Sequence, residues 1–158
     1  MIIKKFLQCS DDVVDALVKT CSKIYKLESQ EEVDEALKLA KEKPEEYILK
    51  PNKEGGGNNI FGEDILKKLT GATLDENRQY ILMRKIIPLP RTGFMIKNKI
   101  LLVEQVQSEL GIWGYTLSNE KGMISSKIGS WMVRTKQFSA LEGGICAGIS
   151  VLDFIAFS

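Results

Sequence analysis

The apolar residues between Asp11 and Tyr25 (Val13, Val14, Ala16, Leu17, Cys21 and Ile24) recur at helical spacing, and Ser10 or Asp11 stands where a side chain can cap the first amides. The pattern predicts a helix over that stretch. A second helix is signalled by Ser29-Gln30-Glu31-Glu32, a capping box in which serine and glutamate satisfy orphan amides. It continues through Val33, Ala36, Leu37 and Ala40 on one face and stops at Pro44. Tyr47-Ile48-Leu49 then has strand composition, a polar and glycine-rich stretch follows, and a third helical pattern runs from Glu63 to Leu69.

Beyond this the periodicity changes. Tyr80 to Ile87 and Ile100 to Tyr115 are rich in strand formers, with Lys97-Asn98-Lys99 or Pro88-Leu89-Pro90-Arg91 available as turns, which predicts an antiparallel sheet in the middle of the chain. Gly122 to Met132 reads as another strand. The end of the chain is rich in small residues at Gly143-Gly144-Ile145-Cys146-Ala147-Gly148 before the apolar runs Ile149 to Leu152 and Phe154 to Phe157. The pattern is α+β, without internal repeats.

Composition narrows the chemistry. A length of 158 residues, 44% hydrophobic and 27% charged, fits one globular domain with its own core. The 22 basic and 21 acidic residues leave a formal charge of +1, so no broad field attracts nucleic acid or an anionic membrane, and any bound anion must be held locally. Cys9, Cys21 and Cys146 are odd in number and widely spaced, and the chain has no histidine, which excludes a CxxC metal knot and a disulfide framework and suits a reducing, cytosolic compartment. The start, MIIKKFLQC, is too short in its apolar part for a secretory signal, and no window reaches a membrane span.

The chemistry concentrates in the loop Lys50-Pro51-Asn52-Lys53-Glu54-Gly55-Gly56-Gly57-Asn58-Asn59. Consecutive glycines open backbone conformations closed to other residues and bring amides against a ligand, two lysines add positive charge, and Glu54 offers an oxygen to a hard cation. It is neither a Walker loop nor the dinucleotide fingerprint. On glycines alone a flexible surface linker fits equally well; the flanking Lys, Glu and paired Asn favour Mg-nucleotide phosphates. Further on, Arg134 and Lys136 alternate along a strand and so share a face, where both can meet anions.

These residues carry a resemblance. The loop, followed in order by YILMRKI (80–86), SELGIWG (108–114), RTK (134–136) and EGGICAGISVLD (142–153), resembles eukaryotic glutathione synthetases, a branch of the ATP-grasp ligases. The resemblance implies a partial ATP-grasp fold, an antiparallel sheet with flanking helices and a glycine-rich lid. It implies that Lys50 contacts ATP phosphates, that Glu54 ligates a bridging Mg2+, that Gly55 to Asn59 form the lid over the nucleotide, and that Phe61 lies beside it. It implies that Met83, Arg84, Lys85 and Ile86 form the adenine-binding segment, read mainly by main-chain groups, with Arg84 standing where relatives often have glutamate. Glu109 is expected on the ribose hydroxyls, Lys136 and Glu142 on ATP, Arg134 on a peptide-substrate carboxylate, and Ile145 and Cys146 along the peptide. Cys146 is expected to be a small buried side chain rather than a nucleophile.

The reaction so implied is phosphorylation of γ-glutamylcysteine by ATP and attack of glycine on the acyl phosphate, in a homodimeric, cytoplasmic enzyme. The pair Cys146-Ala147 suits glycine as acceptor and leaves β-alanine open. Members of the family are much longer, and the matched residues belong to their C-terminal part. The expectation is therefore a C-terminal ATP-grasp portion over residues 1–158, without the N-terminal substrate domain and with little turnover alone. A noncatalytic nucleotide-binding or partner-binding fragment is the alternative.

Overall fold

The computed structural model describes residues 10–53 and 57–154. The readings on MIIKKFLQC, on Cys9, on Glu54, Gly55 and Gly56, and on the last residues of the Phe154 to Phe157 run lie outside the described residues.

The chain divides into two compact units, residues 1–86 and 87–158. This corrects the expectations of one globular domain and one central sheet. The two predicted strands that begin at Tyr80 and Ile100 enter different sheets, with Pro88 and Pro90, which have no N–H to give a ladder, between them.

The first unit contains α1 (Asp11–Thr20), β1 (Ile24–Tyr25), α2 (Gln30–Glu42), a 3₁₀ turn (Pro44–Glu46), β2 (Tyr47–Pro51), β3 (Ile60–Phe61), α3 (Glu63–Gly71), α4 (Leu74–Asn77) and β4 (Tyr80–Arg84). Its strands form an antiparallel sheet in the order β1-β4-β2-β3. The predicted capping box closes α2: Ser29 Oγ accepts the Glu32 N–H at 3.3 Å, and Glu32 Oε2 accepts the Ser29 N–H at 3.1 Å. Leu27, Val33, Ala36, Ala40, Ile65 and Leu69 pack with Tyr47, Leu49 and Leu82 in one buried cluster, so α2 and α3 cover one face of the sheet.

The first helix is shorter than its periodicity predicts and makes no side-chain cap at Ser10. Cys21 already has extended backbone. Ile24 and Tyr25, good strand formers, pair instead with Met83 and Leu82, so sheet pairing overrides helical spacing. Helix α4 was not expected, although Thr73 and Glu76 form a second capping box.

The second unit is an antiparallel sheet of β5 (Arg91–Lys97), β6 (Ile100–Asn119), β7 (Gly122–Gln137) and β8 (Ser150–Asp153), in chain order. Asn98 and Lys99, at φ 53° and 65°, make the two-residue β5–β6 turn, whose left-handed positions match the strand twist. Gly93 is required where it stands: a Cβ there would lie 2.5 Å from Cγ2 of the fully buried Val106.

Candidate functional site

Each unit carries its own set of the residues singled out from the sequence. In the first unit, strand alternation decides their direction. Tyr47 and Leu49 enter the helix-covered core, so Ile48 and Lys50 occupy the opposite face of β2. Register places Met83 and Phe61 beside Ile48, and Ile81 beside Lys50. Lys50, Phe61 and Met83 therefore come from three strands onto one face.

The loop leaves β2 at the Lys50 end. Asn52 N–H donates to the Gln79 carbonyl at 2.7 Å, which ties the loop's first turn to the start of β4. Gly57 has φ 85° and Gly62, ahead of α3, φ 59°, two places where the chain turns through left-handed backbone that favours glycine. Lys53, Asn58 and Gly57 are exposed, while Asn59 is half-buried. A cavity of about 260 Å3 opens beside the loop, lined by Lys50, Pro51, Asn52, Arg78, Gln79, Tyr80 and Ile81. Arg78 was not singled out from the sequence. It is held there by Asp75 at 2.7 Å and the Glu28 carbonyl at 3.2 Å.

In 83–86 the main chain is partly committed. The Arg84 N–H donates to the Lys23 carbonyl at 2.9 Å, the Lys85 N–H to the Glu46 carbonyl at 2.8 Å, and the Arg84 carbonyl accepts from Ser22 Oγ. Among the described residues, the Lys85 carbonyl and the Ile86 N–H have no hydrogen-bond partner. The Arg84 side chain lies on the face opposite Met83, since Arg84 pairs with Tyr47, and its guanidinium meets Glu46 at 3.1 Å. Glu46 is held below the usual carboxylate range, first by the hydrogen bond from Lys43, with Arg84 adding to it against the opposing effect of burial. The departure at Arg84 is thus spent on the helix side of the sheet.

In the second unit, Glu109 and Arg134 are cross-strand partners, Gln107 faces Lys136, and Ser150 faces Lys136 from β8. By alternation, Gln107, Glu109, Arg134, Lys136 and Ser150 form one face. Arg134 Nη2 donates to Glu109 Oε1 at 2.6 Å.

The segment between β7 and β8 folds onto this face. Gln107 Nε2 donates to the Phe138 and Ala140 carbonyls at 3.3 and 3.5 Å, and a Cβ at Gly143 would stand 3.3 Å from Ser150 Oγ and 3.7 Å from Lys136 Cδ. A tight turn carries Ile145 to Gly148, closed by Gly148 N–H on the Ile145 carbonyl at 2.9 Å. Glu142 is half-buried. Cys146, expected to be buried, is exposed and unpaired in any disulfide, because it sits at the turn's tip where the chain projects outward. Gln107 was missed from the sequence, where a strand glutamine has no distinguishing pattern.

Three or more Asp, Glu or Cys side chains do not converge as a metal cage among the described residues. Mg2+ keeps waters and is usually held by one or two carboxylates plus substrate phosphates, and a loop glutamate has the donor chemistry of one such ligand. No helix among the described residues is long and apolar enough to cross a membrane.

Known proteins resemble the chain over nearly its whole length. The chain is 36% identical over 157 residues to a chloroplastic glutathione synthetase of Solanum lycopersicum, covering 98% of this chain and 28% of that protein. It is 36% identical to the glutathione synthetases of Xenopus laevis and Homo sapiens, covering 96% of this chain and 32% of each. The chain thus spans only about a third or less of the curated relatives it matches, between 28% and 32%. In structure it is similar to a glutathione synthetase-like effector from Globodera pallida in apo form, with a TM-score of 0.63 and 24% identity over 90% of this chain and 29% of that one, a likeness of fold. The model of the eukaryotic glutathione synthase ATP binding domain matches residues 1–157, and the chain belongs to that family.

Proposed function

We propose that the chain is the ATP-binding part of a glutathione synthetase and binds Mg-ATP. The observation that carries this reading is the convergence of Lys50, Phe61 and Met83 on the face opposite the helices, beside the glycine-rich loop. Lys50 and Lys53 take the phosphates, Pro51 and Asn52 shape the loop's entry, and Gly55 to Asn59 close over them. Phe61, Met83 and Ile86 flank the base, while the Lys85 carbonyl and Ile86 N–H, a matched acceptor and donor, read its edge. Glu109, ionised and purely an acceptor, takes the ribose hydroxyls. Lys136 and Glu142 complete the nucleotide set, and Glu54 ligates Mg2+.

The activity proposed for a protein of the relatives' full length is formation of glutathione. The γ-phosphoryl group passes from ATP to a carboxylate oxygen of γ-glutamylcysteine, giving an acyl phosphate and ADP. The glycine amine then attacks the acyl carbon, forms the amide and expels phosphate. Protein groups orient and neutralise charge in such a sequence. Arg134 holds a peptide carboxylate, and the Ile145 and Cys146 backbone lines the peptide. When bound, Mg2+ neutralises charge on the phosphates. A homodimer in the cytoplasm belongs to the same proposal, and the exposed thiols of Cys21 and Cys146 suit a reducing compartment.

The 158-residue chain matches less than a third of its tomato relative, and this favours a second reading, a nucleotide-binding part that does not turn over alone. An assay of the purified chain with ATP, Mg2+, γ-glutamylcysteine and glycine tests it: Mg-ATP binding without product supports it, and robust glutathione formation refutes it. Loss of binding on Lys50→Ala supports both.

A further inference from the structure

On the back of the second sheet, facing away from Glu109, Arg134 and Lys136, lies a closed ring of side chains. Thr135, between the two site cations in sequence and 1% exposed, points to that face. Its Oγ1 donates to Asp153 Oδ2 at 2.7 Å. That hydroxyl has one proton, so the 2.8 Å contact between Ser108 Oγ and Thr135 Oγ1 must run from Ser108 to Thr135. Ser108 in turn accepts from Arg91 Nη2 at 3.0 Å, and the same nitrogen donates to Asp153 Oδ2 at 3.1 Å. The remaining Asp153 oxygen, Oδ1, accepts the Phe154 N–H at 2.8 Å. Every proton in the ring has one place, and its members come one each from β5, β6, β7 and β8.

The site face depends on the strand this ring holds. Strand β8 meets the sheet through β7, with Ser150 beside Lys136 and Leu152 beside Arg134. The segment bearing Glu142, Ile145 and Cys146 runs directly into β8, and its Gly143 rests against the Lys136 stem. The Ile149 N–H and Ser150 N–H both reach the Gly144 carbonyl, at 3.0 and 3.4 Å, so a shift of β8 carries the turn with it.

We infer that Asp153 is a positioning residue: through Thr135 and Arg91 it fixes β8 on β7 and thereby holds the 142–148 segment against Lys136. This rests on the reading of Lys136 as an ATP ligand only for its effect on binding, and not for its effect on the segment. Asp153→Asn removes the charge and leaves one acceptor oxygen, so the Thr135 and Arg91 donors on one side and the Phe154 N–H on the other cannot all be satisfied. Thr135→Val keeps the shape and removes the hydroxyl, and Thr135→Ser keeps the hydroxyl.

The experiment records amide resonances of residues 142–149 in the ligand-free chain and Mg-ATP affinity by calorimetry, for these variants, Lys136→Ala and the Asp153→Asn/Lys136→Ala double variant. Asp153→Asn and Thr135→Val are expected to shift or broaden the 142–149 resonances and to weaken Mg-ATP roughly tenfold, as for a lost hydrogen bond to a charged group. Thr135→Ser is expected to stay close to the parent. The double variant is expected to lose less than the sum of the two single losses, since Asp153 acts in part through Lys136. Unmoved resonances in both Asp153→Asn and Thr135→Val overturn the inference, as do additive losses in the double variant. Moved resonances with Mg-ATP affinity unchanged in Lys136→Ala uphold the positioning role and refute Lys136 as an ATP ligand.

Discussion

Glu109 and Arg134 face each other across β6 and β7, and the Arg134 guanidinium donates to Glu109 at 2.6 Å. The proposed function assigns these two side chains to different ligands, a ribose and a peptide carboxylate. In the ligand-free chain each occupies the other. Their side chains are 66% and 35% exposed, so the pair contributes no more than about 1 kcal/mol and yields readily to a ligand. Under that proposal a ribose hydroxyl donating to Glu109 would compete with Arg134 for the same oxygens and would free Arg134 for the second substrate.

Glu109→Gln keeps the shape and removes the charge. It is expected to weaken Mg-ATP by roughly tenfold, the worth of a charge-assisted hydrogen bond, and to strengthen binding of γ-glutamylcysteine measured without nucleotide. Arg134→Ala is expected to change Mg-ATP affinity by less than about fivefold, the value of the exposed pair. Calorimetry with each ligand reads both. A tenfold loss of Mg-ATP affinity in Arg134→Ala contradicts the separate assignment.

Gly93→Ala is expected to destabilise the second unit by about 1 to 3 kcal/mol, the usual cost of overpacking. The added methyl would meet Val106, which is fully buried and β-branched and so has little room to turn. Chemical denaturation of the chain measures it. Gly122→Ala, where no atom lies within 4 Å, tests the contrast between packing and backbone, because its φ of 127° strains the chain without any clash.

Much of this was legible beforehand. The Ser29 and Glu32 capping box, the strand at Tyr47 and the Glu63 helix followed from local chemistry, since each is decided by residues close in sequence. Division into two units was not legible, because strand composition at Tyr80 and Ile100 does not say which sheet a strand joins. Composition is also a poor guide to burial along the β6–β7 hairpin, where the apolar Ile112 and Trp131 are 66% and 48% exposed. The Asp153 ring was hidden for a different reason. Ser108, Thr135 and Asp153 look like ordinary polar strand residues until register brings them together with Arg91.

Asp153 also sets a pH dependence. The hydrogen bond from Thr135, then the Phe154 N–H and Arg91, holds its carboxyl below the usual value against the opposing effect of burial. A carboxyl that binds its proton less tightly in the folded chain stabilises the fold fully above the unfolded pKa of about 3.9, and that contribution is lost as pH falls through the lower folded value. Stability is therefore expected to decline below about pH 4 more steeply in the parent than in Asp153→Asn. Denaturation curves between pH 7 and 3 check this; equal slopes refute it.

The central claim is that Lys50, on the face opposite the helices, binds the phosphates of Mg-ATP. Its most direct test is calorimetric titration of Mg-ATP into the 158-residue chain and into Lys50→Ala, with the melting temperature of each recorded. The account predicts saturable binding by the parent, an affinity at least about tenfold weaker in the variant, as for a lost hydrogen bond to a charged group, and an unchanged melting temperature, because Lys50 lies outside the buried cluster. Equal binding by the two proteins, or no binding by the parent at millimolar Mg-ATP, would contradict it.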